Sequence, residues 1–176
     1  EVHQHLRLAL GAAMEARGGS GFEKIQLLHE ALPELNLQEI SLATKFWRYE
    51  AASPLFVSSM TAGHHKGEAV NLTLARVAEA RRWPMGVGSQ RRELEDPGAR
   101  SEWKRLRKSA PKAFLLGNLG LSQLITTPAK KALELVDSLE AGAIFIHVNA
   151  LQEALQPEGT PQFRGGLKAL KKFCRI

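Results

Sequence analysis

Residues 143–159 read Ala-Ile-Phe-Ile-His-Val-Asn-Ala-Leu-Gln-Glu-Ala-Leu-Gln-Pro-Glu-Gly. A short run rich in β-branched and aromatic residues, Ile144-Phe145-Ile146, has the length and composition of a buried strand. It leads straight into His147, Asn149, Gln152 and Glu153. In a parallel α/β sheet the C-terminal edge of the strands is where ligands bind. An imidazole, two amides and a carboxylate there suit a site that holds a polar anion through a metal. Gln152 and Glu153 are neighbours, so on a loop they can face different targets. Taken singly, each has an ordinary explanation. A lone His near a strand end is commonly a hydrogen-bonded structural residue, an Asn in a loop is commonly a turn former, and a Glu is commonly solvated.

Working outward, the same rhythm recurs. Pro54–Val57 reads as a strand ending at Ser58-Ser59-Met60-Thr61-Ala62-Gly63, and Ala69–Arg82 as a helix with Val70, Leu74, Val77 and Ala78 facing inward. Pro84–Val87 is a second strand ending at Gly88-Ser89-Gln90-Arg91, followed by a helix over Arg100–Lys108. Phe114–Leu116 is a third, ending at Gly117-Asn118-Leu119-Gly120, with a helix over Pro128–Leu139 behind it. Ile144–Ile146 is the fourth, and Gly166–Phe173 starts another helix. Strand–helix units of roughly thirty residues mean parallel strands with helical crossovers. Small or polar residues end each strand, which fits a barrel whose mouth faces one way, although Gly, Ser and Asn are also ordinary loop residues.

The N-terminal part differs. His3–Arg17 reads as a moderately amphipathic helix, Gly18-Gly19-Ser20-Gly21 as a flexible joint, and Phe22–Leu37 as a helix broken by Pro33. That glycine cluster lacks the preceding strand and the lysine of a nucleotide-binding loop. Ile40–Tyr49 alternates as a short strand outside the main sheet, with Ile40, Leu42, Thr44 and Phe46 on one side. The domain expectation is an N-terminal segment over 1–50 and a barrel-type part over 51–176.

The chain has 176 residues, 44% of them hydrophobic, enough for a domain with a real core. One cysteine, Cys174, excludes an intrachain disulfide and fits a reducing compartment. No apolar run approaches the roughly 18 residues of a spanning helix, and the start lacks a signal-peptide pattern, so the expectation is a soluble, cytoplasmic protein without a membrane partner. The formal charge of +6 raises nucleic-acid binding. The basic clusters, however, are interleaved with Glu93, Glu95, Asp96 and Glu102, and no zinc-finger or RNA-binding motif accompanies them. Solvated helix faces account for them better.

Several of these motifs together resemble one family, the type 2 isopentenyl-diphosphate isomerases. Phe22–Leu35, Pro54–Gly63, Gly86–Arg91 (Gly-Val-Gly-Ser-Gln-Arg), Gly117–Gly120 and His147–Gly159 match in order and spacing. The His-x-Asn-x-x-Gln-Glu segment followed by Gln-Pro-Glu-Gly is the specific part. The resemblance implies an α/β fold of the (β/α)8 TIM-barrel type, of which about the first four units are present. It implies interconversion of isopentenyl and dimethylallyl diphosphate, with reduced FMN, Mg2+, and NADPH as reductant. By position, Met60, Thr61, Ala62, Ser89 and Asn118 would line the flavin. Ser89, Gln90, Arg91, His5, Asn149 and Gln152 would face the substrate, with Gln152 and His147 as the catalytic pair and Glu153 as the Mg2+ ligand. A homo-oligomer is expected.

Three departures qualify this expectation. Glu1 and Val2 stand where the family has Arg-Lys, and Ala62 stands where Gly is usual. The chain also stops at Ile176, after about four strands of a fold that typically takes about 250 residues. The expectation is therefore a fragment of a longer product, or a half-barrel completed by another chain. The rival is an inactive half-barrel without flavin, serving assembly or nothing.

Overall fold

The computed structural model describes residues 10–11, 18–60, 62, 65–157 and 159–176. The chain divides into two units, Glu1–Leu42 and Ala43–Ile176. In the first, the helix expected over 22–37 is replaced by two single 3-10 turns, Phe22–Lys24 and Leu37–Glu39. Pro33 offers no amide donor, Glu34 takes the left-handed conformation at φ 49°, and Leu27, Leu28 and Leu32 are exposed. A helix this short needs a packed apolar face to persist, and these leucines do not provide one. The helix expected over 3–17 lies outside the described residues apart from positions 10 and 11.

The second unit begins with a hairpin. β1 (Thr44–Phe46) and β2 (Tyr49–Ala51) pair antiparallel, with Phe46 opposite Tyr49. Sequence alternation suggested one strand through 40–49. The chain instead reverses at Trp47, whose φ is 55°. The hairpin forms its own two-stranded sheet, apart from the main one. Its aromatic side chains pack on the segment that precedes the main strands. Tyr49 stacks on Phe114 at 4.8 Å, and Phe46 meets Phe56 and Phe114 at 5.8 and 6.0 Å. Phe56 continues edge-on to Phe145 at 5.7 Å. Pairs of this geometry add about 0.5–1.5 kcal/mol beyond area burial.

The main sheet contains β3 (Met85–Gly86), β4 (Leu115–Gly120) and β5 (Ala143–His147), all parallel, in the order β3-β4-β5. Val57 bridges Met85 in parallel, so the expected first strand, Pro54–Val57, runs alongside β3 through a single bridge. Between these segments lie α1 (His65–Arg81), α2 (Arg100–Ser109), α3 (Leu121–Thr126) and α4 (Ala129–Leu139); α5 (Ala150–Leu155) and α6 (Gly166–Phe173) follow β5. Strands consecutive in sequence are neighbours in space, as helical crossovers require.

Two apolar clusters lie between sheet and helices. One joins Met85, Val87 and Leu115 to Ala75, Trp103 and Leu106; the other joins Leu119 to Leu124, Ala132, Leu135 and Phe173, with Ile144 and Ile146 packed against it. α4 shows why its sequence is helical here. Ala132, Leu135 and Leu139 recur at helical spacing and are all buried. α1 keeps part of its expected face: Ala78 is buried and Leu74 packs against the first cluster. Val70 and Val77 are exposed, and the buried stripe is Gly67, Asn71, Ala75 and Ala78. Small residues let the helix approach the sheet closely, and the β-branched pair is left outside. Among the described residues, no helix is long and apolar enough to cross a membrane.

Candidate functional site

Period-two alternation sorts the strand residues. Leu119, Ile144 and Ile146 pack toward the helices, so Asn118, Gly120, Phe145 and His147 lie on the opposite face. Sequence reading ended the third strand at Leu116. The ladder instead runs on to Gly120, which pairs with His147. Asn118 is therefore part of the strand, although Asn and Gly are poor strand formers. The partner strand β5 overrides their propensity. His147 Nδ1 lies 2.9 Å from Asn118 Oδ1. With that oxygen as acceptor, the imidazole carries its proton on Nδ1 and offers a lone pair at Nε2. Burial holds the His147 pKa below its ordinary value, with Glu153 opposing the shift, so the ring is neutral at pH 7.

Gln90 corrects an expectation. It was expected to face the substrate, yet its side chain is 1% exposed and lies on the helix side of the sheet. Its Nε2 donates to Glu93 Oε1 at 3.1 Å and to the Leu135 carbonyl at 3.0 Å. Its Oε1 accepts from the Asn118 amide at 3.1 Å, and its backbone N–H donates to the Asn118 carbonyl at 2.8 Å. Gly117 makes room for this amide, since a Cβ there would come within 2.6 Å of Gln90 Oε1. Glu93 is likewise buried, and it also accepts from Ser138 Oγ at 3.0 Å. Burial raises its pKa above the usual carboxylate value, against the hydrogen bonds from Gln90 and Ser138 and the charge of Arg100.

A raised carboxyl pKa means that Glu93 contributes stability fully below its unfolded value near 4.5, and that this contribution is lost as pH rises through the folded value. Glu93→Gln should thus melt at a higher temperature than the unaltered protein at pH 8 and at nearly the same temperature at pH 4. Melting curves at the two pH values check this.

Past the strand ends, charged and polar groups meet at Thr160. Its backbone N–H donates to Glu153 Oε2 at 2.6 Å. Its hydroxyl receives Arg91 Nη2 and Gln123 Nε2, each at 3.4 Å. Arg91's backbone N–H in turn points to Ser89 Oγ at 3.4 Å. The structure therefore gathers Ser89, Arg91 and Glu153 at the edge where Asn118 and His147 lie. Sequence reading missed Thr160 and Gln123. Thr160 falls one residue beyond the 143–159 stretch, and Gln123 sits in α3, a helix that was not anticipated.

Asn149, Gln152 and Glu153 were placed on a loop. They instead form the cap and first turn of α5. Asn149 Oδ1 accepts from the Gln152 amide at 3.2 Å, and its Nδ2 donates to Gln152 Oε1 at 2.6 Å. An N-cap asparagine satisfies an otherwise unpaired helix amide, so Asn149 has a structural task. Gln152 and Glu153 still diverge, because adjacent helical residues are about 100° apart.

The flavin-lining run is less coherent. Met60 is 81% exposed, whereas Ala62 packs against the first apolar cluster. Thr61 and His5 lie outside the described residues. Ser59, not anticipated, has a buried Oγ without a hydrogen-bond partner among the described residues, and it fills the space above Gly86. A groove of about 280 Å3 lined by Leu124, Lys168 and Phe173 lies on the helix side, away from these groups.

The donor set suits the groups the sequence implied. Ser59, Ser89 and Asn118 can each donate and accept hydrogen bonds, as the polar edge of a planar heterocycle requires. Glu153 stands alone: no group of three or more His, Cys, Asp or Glu residues placed to hold a metal occurs among the described residues. One carboxylate fits Mg2+, which is commonly held by one or two carboxylates together with substrate phosphates and water.

Fold and site together define a parallel α/β protein with a neutral imidazole, a guanidinium and a carboxylate collected at the C-terminal edge of its sheet. The comparisons narrow the class. The chain is 51% identical over 176 residues to the isopentenyl-diphosphate delta-isomerase of Bdellovibrio bacteriovorus, covering 98% of this chain and 51% of the relative. It is 43% identical over 171 residues to the protein of the same name from Legionella pneumophila strain Paris, covering 97% and 50%. With that of Methanoregula boonei it shares 43% over 170 residues, covering 97% and 47%. The chain thus spans about half the length of the curated relatives it matches. No protein-family model matches it.

Proposed function

We propose that the chain supplies the N-terminal half of an isomerase that interconverts isopentenyl and dimethylallyl diphosphate in the cytoplasm, using reduced FMN, Mg2+, and NADPH as reductant. The main sheet is then the first part of an eight-stranded barrel, and copies of the chain associate. One observation supports this above the others: Arg91 and Glu153 both reach Thr160, so a cation and a carboxylate stand together beside a neutral His147. The relatives' names supply the reaction. Moving a proton between carbons of an unactivated alkene is beyond an ordinary side-chain acid in water. Reduced flavin, when bound, supplies that proton chemistry.

The chain's own residues bind and orient. Arg91 would pair with the diphosphate, and Glu153 would hold a divalent cation, which would supply charge neutralisation to that anion. Ser59, Ser89 and Asn118 address the edge of the flavin. His147, with Nε2 unprotonated, accepts a hydrogen bond or a proton at that atom. Gln152, on the exposed side of α5, contacts the substrate. Purified protein given FMN, dithionite and Mg2+ should turn yellow on reoxidation and consume the terminal-alkene NMR signals of isopentenyl diphosphate. Protein that retains neither flavin nor diphosphate would sink the proposal.

Gln152→Ala is expected to lower turnover about tenfold or more, the scale of one lost transition-state contact of about 1.4 kcal/mol, with flavin content unchanged. Absorbance per protein and initial rates separate the two effects. Loss of flavin instead would reassign Gln152.

A further inference from the structure

Behind the candidate site, an unbroken hydrogen-bonded chain joins a buried carboxylate to the imidazole. Glu93 Oε1 accepts from Gln90 Nε2 at 3.1 Å. Gln90 clamps both backbone polar groups of Asn118, at 3.1 Å on its amide and 2.8 Å on its carbonyl. Asn118 Oδ1 then faces His147 Nδ1 at 2.9 Å. Gln90 and Asn118 lie on opposite faces of β4, so neither side chain touches the other. The grip passes through the strand backbone. We infer that Glu93 and Gln90 form a positioning pair that sets β4 at Asn118 and thereby fixes His147 as its Nδ1–H tautomer. This rests on the functional reading above only in giving the tautomer a use, since it leaves Nε2 as the hydrogen-bond acceptor.

Three features favour a positioning device over incidental packing. Both residues are almost fully buried, Gln90 and Glu93 each at 1% exposure. A residue that holds its target at two points, as Gln90 does through its side-chain oxygen and its backbone N–H, leaves little freedom to the strand. Ser138 closes the far end: its Oγ, with a single proton to give, lies 3.0 Å from both Glu93 Oε2 and the Leu135 carbonyl. When Glu93 carries a proton, it donates to Ser138 Oγ while Ser138 donates to Leu135; when it does not, Ser138 donates to Glu93. The same geometry survives either state, and also a Gln at position 93, whose amide can take the donor part.

Long-range 1H–15N spectra of the full chain with 15N-labelled histidine at pH 8 read the tautomer directly, with no ligand and no turnover. Unaltered protein should show His147 as Nδ1–H. Glu93→Gln should preserve that pattern. Glu93→Met should shift His147 toward the Nε2–H form, with far-UV circular dichroism and the resonances of the other five histidines unchanged. A dominant Nε2–H form in the unaltered protein would overturn the inference whether or not any variant folds. So would a folded Glu93→Met protein with His147 unmoved. Because the readout needs no substrate, an intact tautomer without isomerisation would count against the proposed function alone.

Discussion

Glu153→Gln is expected to lower isomerisation (kcat/KM) on the order of 100-fold and to raise the Mg2+ concentration needed for half-maximal rate, while leaving the fold unchanged. The substitution is nearly isosteric. The Thr160 N–H that now donates to Glu153 Oε2 can donate to the amide oxygen, and the residue sits on the first turn of the short helix α5, outside both apolar clusters. What is removed is the negative charge, on which a hard divalent cation depends. A metal that neutralises transferring or bound phosphate oxygens contributes several kcal/mol, and a loss of about 2.7 kcal/mol already corresponds to the hundredfold expected. The measurement need not rely on turnover. Calorimetric titration of Mg2+ into protein holding inorganic pyrophosphate should show a clear heat for the unaltered chain and little for Glu153→Gln. Equal affinities in the two proteins would remove Glu153 as the ligand and direct attention to Arg91 alone as the anion holder.

The strand–helix rhythm was readable because each apolar segment carries its own composition. Leu115-Leu116 announces a buried strand; Ile144-Phe145-Ile146 announces a strand too, but β5 is only half-buried, with Phe145 exposed. The helix starting at Gly166 begins where the sequence suggests. What sequence could not supply was tertiary override. β4 continues through Gly117-Asn118-Leu119-Gly120 because β5 pairs with it, not because those residues favour extended chain. The reversal at Trp47 was hidden because two-residue hairpin turns usually advertise themselves with Asn-Gly or a similar pair, and Trp47-Arg48 gives no such signal. The face of α1 was read only in part: Leu74 and Ala78 do point inward, but hydrophobicity also points to Val70 and Val77, where close packing selects Gly67, Asn71 and Ala75 instead.

The site shows the same division. Asn118, His147 and Glu153 stood out because their residue types sit where strands should end, whereas Arg91 entered only through the resemblance. Which of the flanking polar groups face inward could not be read. Gln90 lies between two candidate ligand contacts in sequence, yet the residue following Ser89 turns under the sheet into the space left by Gly117. Thr160, the residue on which Arg91 and Glu153 converge, carries no local signature at all. Its role arises from the return of the chain after α5, a relation between segments.

Arg107→Met is expected to lower stability by about 2–4 kcal/mol, a large effect for a residue outside the apolar core. The Arg107 guanidinium stands where two helices end. Its Nη1 faces the carbonyls of Ala110, Pro111 and Ala113 at 3.2, 3.1 and 2.9 Å, directly after α2. Its Nε and Nη2 take the carbonyls of Leu139 and Glu140, at the end of α4, at 3.1 and 2.9 Å. Helix C-termini leave carbonyls without intrahelical partners, and α4 stops on Glu140 in the left-handed conformation without the glycine that usually fills that place. One planar cation satisfies both ends at once. Burial lowers its pKa, opposed by Glu140 and Glu79, yet an arginine stays charged throughout the working range. Met keeps the aliphatic volume and removes these donors. The Ala110 carbonyl keeps the Ala113 amide at 3.3 Å, and those at Pro111 and Glu140 regain water; the more enclosed ones at Ala113 and Leu139 cost about 1–3 kcal/mol each where water cannot reach. For a chain of this size, the melting temperature should fall by roughly 5–15 °C. Lys108→Met, one residue along on the exposed face, is the control and should stay within about 0.5 kcal/mol. Arg107→Lys should recover only part of the loss, since an ammonium cannot span two helix ends as a fork does. Denaturant titrations of the three variants decide it, and an Arg107→Met midpoint equal to the control would show that the carbonyls find other partners. The consequence reaches the site as well. α4 presents the Leu135 carbonyl that holds Gln90 one turn before the end that Arg107 secures, so the clamp on Asn118 is only as firm as that helix terminus.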